Sequence, residues 1–217
     1  MDVLIDLDGT LIDPKAGILG SVQAALARLG LPVPDADTLG WAIGPPLRTT
    51  FPRLGVADAD IETAVGFYRE NYSAGAMYDA AVYPGIPEAL DRLREIGARL
   101  IVATSKPHAF ARPILRHFGL AGRFAAIHGA ELDGRRDDKA ELIAHIIATE
   151  HVDPAAAVMI GDRRYDIDGA RANRLRAIGV LWGYGSMEEL RTAGASALCD
   201  HPKGLPRLVP WLLKGET

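Results

Sequence analysis

Five short runs of nearly unbroken hydrophobicity mark the chain: VLIDL (Val3–Leu7), ARLIVAT (Ala98–Thr104), FAAIH (Phe124–His128), AVMI (Ala157–Ile160) and AIGVL (Ala177–Leu181). Since they do not alternate cleanly between apolar and polar, each reads as a strand covered on both faces, the habit of parallel sheets. Between them the apolar positions change period. Ile86, Ala89, Leu90, Leu93 and Ile96 fall at i, i+3, i+4, i+7 and i+10, a helical stripe stopped by Gly97. Leu142, Ile143, Ile146 and Ile147 form a second stripe behind Asp137 and Asp138, acids suited to a first helical turn. Gly30, Gly97 and Gly119 each follow a helical pattern, where a glycine closes a helix. This alternation predicts an α/β fold, a parallel sheet between two layers of helices in an α/β/α sandwich.

One region breaks the rhythm. From Pro14 to Tyr83 no strand is expected, and helical patterns run over Ala16–Leu29, Pro46–Leu54 and Ala59–Met77, punctuated by Pro32, Pro34, Gly44, Pro45, Pro46 and Gly55. The sequence therefore predicts an inserted helical module at 14–83 within a core of 1–13 and 84–217. At roughly 150 residues per domain, the chain has room for one core plus a smaller module. Composition narrows the function class. An apolar fraction of 48% excludes a disordered chain. A net charge of -4 without a basic run gives no footprint for nucleic acid or a membrane surface. The single cysteine, Cys199, excludes an internal disulfide framework and fits a reducing compartment. Asp6 and Asp8 interrupt the one apolar stretch near the start, so no signal peptide is visible. No run reaches the ~18 apolar residues of a membrane helix. A soluble, cytoplasmic protein is expected.

The chemistry gathers where the predicted strands end. The first runs into Asp6-Leu7-Asp8-Gly9-Thr10-Leu11. Residues i and i+2 of a strand share a face, so Asp6 and Asp8 come close and need a cation or a shared proton to coexist. In open parallel sheets ligands bind beyond the carboxyl ends of the strands. The plainer alternative is a surface turn, with Gly9 as turn former. After the fourth strand comes Gly161-Asp162-Arg163-Arg164-Tyr165-Asp166-Ile167-Asp168. Asp6, Asp8 and Asp162 together would make an oxygen-rich site suited to Mg²⁺; the alternative for Asp162 is a helix N-cap, and Asp166 and Asp168 suit a first turn. The second strand ends in Thr104-Ser105-Lys106-Pro107, an anion site or a simple cap. Lys139 follows the third strand at a helix start, where a lysine is most often merely solvated. The six histidines show no ligand spacing.

Taken in order, these residues resemble the haloacid dehalogenase-like hydrolase superfamily over essentially the whole chain. DLDGTL (Asp6–Leu11) is similar to its first motif, Thr104 in VATSKP to the second, Lys139 to the third and GDRRYD (Gly161–Asp166) to the fourth. The resemblance implies a Rossmann-like core with the insert as a cap closing over small substrates. It implies Asp6 as a nucleophile forming a phosphoaspartate, Asp8 as general acid and base, and Thr104 and Lys139 holding phosphoryl oxygens. Mg²⁺ would be held by Asp6, Asp8 and Asp162, with Asp166 orienting Asp162 or Lys139, and Gly9, Ser105 and Lys106 close to the phosphate. A halide leaving group needs no acid whereas an ester oxygen does, so Asp8 favours phosphate esters. Ile43-Gly44-Pro45-Pro46-Leu47 and Tyr83-Pro84-Gly85 are similar to phosphoglycolate phosphatase-like members. Asp133–Lys139, Gly183–Ser186 and Glu189-Leu190 are closer to 5′-nucleotidases.

Arg48 in the insert is the candidate contact for a second anionic group of the substrate, against a solvated helical arginine; Trp41 fits the core of the insert. The expected activity is Mg²⁺-dependent hydrolysis of a small phosphorylated metabolite. The alternatives are a phosphomutase or, from another class, a phosphoacceptor signalling module without turnover. The protein is expected to be a monomer or small homo-oligomer, with GYGS and Pro210-Trp211-Leu212-Leu213 either core or contact surface.

Overall fold

The computed structural model describes residues 1–214; residues 215–217, counted in the expected core, lie outside them. The chain forms two compact units, one of Met1–Asp13 with the residues from Val82 onward, the other of Pro14–Ala81. The insert therefore ends at Ala81, against the 14–83 expected from the sequence.

In chain order the first unit contains β1 (Asp2–Ile5) and β2 (Ile12–Asp13). The insert supplies α1 (Lys15–Arg28), α2 (Leu47–Arg53) and α3 (Ile61–Ser73), and β3 (Ala81–Val82) brings the chain back. Then follow α4 (Ile86–Glu95), β4 (Arg99–Pro107), α5 (His108–His117), β5 (Ala126–Ala130), α6 (Lys139–Glu150) and β6 (Ala157–Gly161). The last are α7 (Arg164–Ala172), β7 (Arg176–Val180), α8 (Met187–Ala193), β8 (Ala197–Cys199) and α9 (Leu205–Lys214).

Six strands form one sheet in the order β5-β4-β1-β6-β7-β8, and every neighbouring pair is parallel. In register, Leu4 lies opposite Ile101 on one side and Met159 on the other. Leu4, Ile101, Ala103, Met159 and Ala177 pack with Leu142, Ile143 and Ile146 of α6, Ile167 of α7 and Leu190 of α8. Their strand neighbours Val3, Ile5, Leu100, Val102, Val158, Ile160 and Ile178 are as deeply buried. The pleat turns these to the opposite face, which explains why the runs are continuously apolar. The sheet is thus the three-layer α/β architecture read from the pattern.

Three strands escape that reading. β8 has three residues, and β2 and β3 have two each and form a separate two-stranded ladder. A period of two cannot declare itself over so few positions. β3 also overturns the expectation that Pro14 to Tyr83 holds no strand.

Within the insert, α1 and α3 carry the packing. Leu19, Val22, Leu26, Phe51, Val65 and Tyr72 are buried, and Tyr68 stacks on Tyr72 at 5.3 Å between centroids. Gly17 lets the chain approach closely, since a Cβ there would lie 2.0 Å from the Ala76 carbonyl oxygen. The Arg53 guanidinium sits 3.8 Å above the Trp41 ring, so one face of that indole is already taken.

Candidate active site

Asp6 follows directly on β1, and its N–H donates to the Ile160 carbonyl at 2.9 Å, carrying it one step further along β6. The chain then folds back in a tight turn. Leu11 N–H and Ile12 N–H both donate to Leu7 O, at 2.9 and 3.1 Å, and Gly9 N–H donates to Ile12 O at 2.8 Å. Gly9 has φ +81°, and a Cβ there would fall 2.2 Å from Asp162 Oδ2. Only glycine lets this turn lie against the aspartate that follows β6.

Asp162 is fully buried and held from two sides. Tyr184 N–H donates to Oδ2 at 2.8 Å, and the Thr10 hydroxyl lies 3.3 Å from Oδ1. It does not cap the following helix: Arg163 stands at that position, and its N–H donates to Asp166 at 3.1 Å. Asp166 does occupy the first turn of α7, as read from the sequence. Gly161 makes room for it, since a Cβ at 161 would lie 2.1 Å from the Asp166 carboxyl carbon.

Lys139 opens α6 and is buried. Its ammonium donates to Asp6 Oδ1 at 2.8 Å and to Ala103 O at 3.0 Å, and lies 2.8 Å from Asp166 Oδ1. Burial works against its charge, but Asp166 and Asp6 more than offset that and raise its pKa. Asp137 and Asp138, expected inside the first turn, both precede it. Asp138 is the N-cap, accepting from Ala140 N–H and Glu141 N–H at 2.8 and 3.0 Å.

Carboxyl oxygens of Asp6, Asp162 and Asp166 all lie within 4.8 Å of one another. This set differs from the expected Asp6, Asp8 and Asp162 in one member. The Asp8 carboxylate instead pairs with Lys106, Nζ to Oδ2 at 3.0 Å, while its Oδ1 is buried without a hydrogen-bond partner. Burial first, and Asp6 beside it, push the Asp8 carboxyl above its ordinary pKa against the pull of Lys106. Asp162 is raised well above the usual value, first by burial and then by Asp166 and Asp6. Asp166 is pushed up to about 6, chiefly by burial, with Lys139 opposing.

Thr104 is buried on β4, and its hydroxyl oxygen accepts from Lys106 N–H at 3.1 Å. Beyond it the strand runs on to Pro107 through an irregularity, so Lys106, expected near a phosphate, is placed against Asp8. Ser105 is half-buried between them. Arg48 belongs to the insert, where it grips Glu62 with two bonds, Nε to Oε1 at 2.6 Å and Nη2 to Oε2 at 3.0 Å.

The segment Trp182–Gly185 brings residues that the sequence left open. A Cβ at Gly183 would lie 2.3 Å from Gly9 O, and one at Gly185 1.9 Å from Asp162 O. The Trp182 indole N–H donates to Thr10 O at 3.0 Å, and the Tyr184 hydroxyl donates to Asp13. Two glycines closely spaced after the fifth hydrophobic run are the signal in the sequence for this close packing.

Four carboxylates and two lysines meet here, leaving a formal charge of -2 on the group. All-oxygen donors with that deficit suit a hard divalent cation such as Mg²⁺, and Asp6, Asp162 and Asp166 are placed to hold one.

Comparison with known proteins identifies the family. The family model described as haloacid dehalogenase-like hydrolase matches residues 3–180. A 5′-nucleotidase of Pseudomonas aeruginosa is 47% identical over 199 residues, covering 91% of this chain and 90% of that protein. Tyrosine-protein kinase PtkA of Mycobacterium tuberculosis is 43% identical over 183 residues, 84% of this chain but 62% of that protein. A crystal structure described as a predicted phosphatase from Clostridium acetobutylicum superposes with a TM-score of 0.92 at 40% identity. It covers 96% of this chain and 97% of that one.

Proposed function

Given that the chain belongs to the haloacid dehalogenase-like hydrolase family and is a phosphatase of it, we propose that it hydrolyses a small phosphomonoester through a phosphoaspartate on Asp6. Of the substrates expected from the sequence, a nucleoside 5′-monophosphate gains support from the 5′-nucleotidase relative; phosphoglycolate remains the second member of the class. The observation that carries the reaction type is the environment of Asp8. A buried carboxyl whose Oδ1 meets no donor and whose pKa is raised is suited to hold a proton and to give it up.

In this reading an Asp6 carboxylate oxygen attacks phosphorus and the ester P–O bond breaks. Asp8 delivers its proton to the departing alkoxide, then takes one from the water that cleaves the phosphoaspartate, releasing inorganic phosphate. Splitting the transfer into two displacements is what a carboxylate nucleophile contributes. Lys139, 2.8 Å from Asp6, orients that carboxylate and offsets charge gathering on the phosphoryl oxygens. The Thr104 hydroxyl, accepting from Lys106 N–H, keeps its own proton for a phosphoryl oxygen. Mg²⁺, held by Asp6, Asp162 and Asp166, would neutralise the acidic group and the phosphate together. Gly9, whose turn lies against Asp162, and Ser105, next to Thr104, are the residues proposed to lie close to the phosphate.

Phosphate release from p-nitrophenyl phosphate and a panel of nucleoside monophosphates and phosphoglycolate, with and without Mg²⁺, tests the reading. Metal-dependent release, lost in Asp6→Asn, is expected. The kinase relative gives a second reading its own arm: transfer from ATP to a tyrosine peptide without phosphate release from any ester would overturn hydrolysis.

A further inference from the structure

Away from Asp6, the edge strand β5 carries a cavity of about 190 Å³. Its lining includes His108 and Arg112 of α5, His128 of β5, Glu131 and Arg136 of the loop after β5, and His145 of α6. Neither Asp6, Asp8, Thr104, Lys106, Lys139 nor Asp162 lines it. Five of the six residues named carry a positive charge or can acquire one. The one acid is already engaged, with Arg136 bonded to Glu131 and His108 Nδ1 4.0 Å from Glu131.

The cationic groups are left with spare capacity. Arg136 Nε is buried without a hydrogen-bond partner. Arg112 is exposed and has no carboxylate partner among the described residues. α5 starts at the cavity with His108, without a side-chain cap and without an acid in its first turn, so its positive end is uncompensated locally. His145 reports the same sign of potential. Burial first, then Arg136 and His128, hold its imidazole below the ordinary histidine range, with Glu131 opposing. His128 is itself tied to Glu150 at 2.8 Å.

We propose that this cavity is a second anion site that binds a dianionic phosphate group, free or carried on a small metabolite, between Arg112 and Arg136. Two guanidiniums with unused donors, beside a helix N-terminus and imidazoles able to protonate, match a tetrahedral oxyanion better than a neutral ligand. The inference is independent of what Asp6 does.

Imidazole NMR of the full chain tests it. Inorganic phosphate should shift the His128 and His145 resonances and raise the titration midpoint of His145, because a bound dianion favours its imidazolium. Chloride at equal ionic strength should not. Arg112→Gln, at an exposed position, should weaken phosphate binding about tenfold, the equivalent of one charge-assisted hydrogen bond, and leave turnover at the Asp6 centre unchanged. Arg136→Gln should do the same; if it fails to fold, Arg112→Gln decides. An equal rise in chloride, an unmoved His145, or undiminished phosphate affinity in Arg112→Gln would overturn the site. Phenylphosphonate, whose P–C bond resists hydrolysis, separates the sources. Equal binding supports a site for phosphate on an organic carrier, whereas binding of inorganic phosphate alone supports a site for the free ion.

Discussion

Asp8 and Asp6 stand two residues apart, yet each pairs with a different lysine. Asp6 meets the Lys139 ammonium at 2.8 Å, which fixes one oxygen of the proposed nucleophile. Asp8 keeps one oxygen on Lys106 and the other without a donor. Replacing it with Asn removes the proton without removing bulk, so Asp8→Asn should slow hydrolysis of alkyl phosphates by about 10²–10⁴-fold. The loss should be smaller for p-nitrophenyl phosphate, whose leaving group departs unprotonated. Equal losses on both, measured as kcat/KM, would argue against the acid role. The glycines separate two kinds of constraint. Gly9 and Gly97 share nearly the same φ, +81° and +87°, but a Cβ at Gly97 meets nothing within 4 Å while one at Gly9 strikes Asp162. Gly97→Ala should therefore cost only left-handed strain, about 1–2 kcal/mol by denaturant melting. Gly9→Ala should cost that much and also abolish turnover, by displacing Asp162.

At the scale of the element, α6 shows how a helix start becomes a catalytic position. Asp138 satisfies two orphan N–H groups, and the residue after it is Lys139. Asp138→Ala should cost about 1 kcal/mol of stability and lower kcat more than it raises KM, since Lys139 loses its fixed setting; unchanged kcat would dissociate the cap from the lysine. The sequence shows this helix well, because Leu142, Ile143 and Ile146 are the buried stripe expected of it. It shows β1, β4, β6 and β7 for the same reason, each being apolar on both faces, and it shows the half-buried edge strand β5 through Ala126 and Ile127. It hides β8, whose three residues have no room for a pattern. The site divides in the same way. Asp6, Asp162 and Lys139 are legible because they are charged groups at the ends of apolar strands or the start of a helix. Gly183 and Gly185 are not, because their contribution is the absence of a side chain beside Asp162. Lys106 and Arg48 read as contacts for substrate anions, and their partners Asp8 and Glu62 are fixed only by the fold.

On the scale of the whole molecule, the chain has a net charge of only -4, and a formal -2 of that is concentrated at one end of the sheet. Burial keeps those acids short of water, so their repulsion is a standing cost to the unit formed by Met1–Asp13 and the residues from Val82 onward. A divalent cation that binds the folded state alone offsets this cost through mass action, by about 2.7 kcal/mol at a hundred times its Kd. For a chain of this size each kcal/mol moves Tm by about 2–4 °C. Saturating Mg²⁺ should therefore raise Tm by about 5–10 °C over the chelated protein. Trp182 is the natural reporter, since its indole donates to Thr10 O beside Asp162. The increment should vanish in Asp162→Asn, which keeps the shape but removes a charge. A Tm indifferent to chelation, or a full increment retained in that variant, would place any cation elsewhere than on Asp6, Asp162 and Asp166.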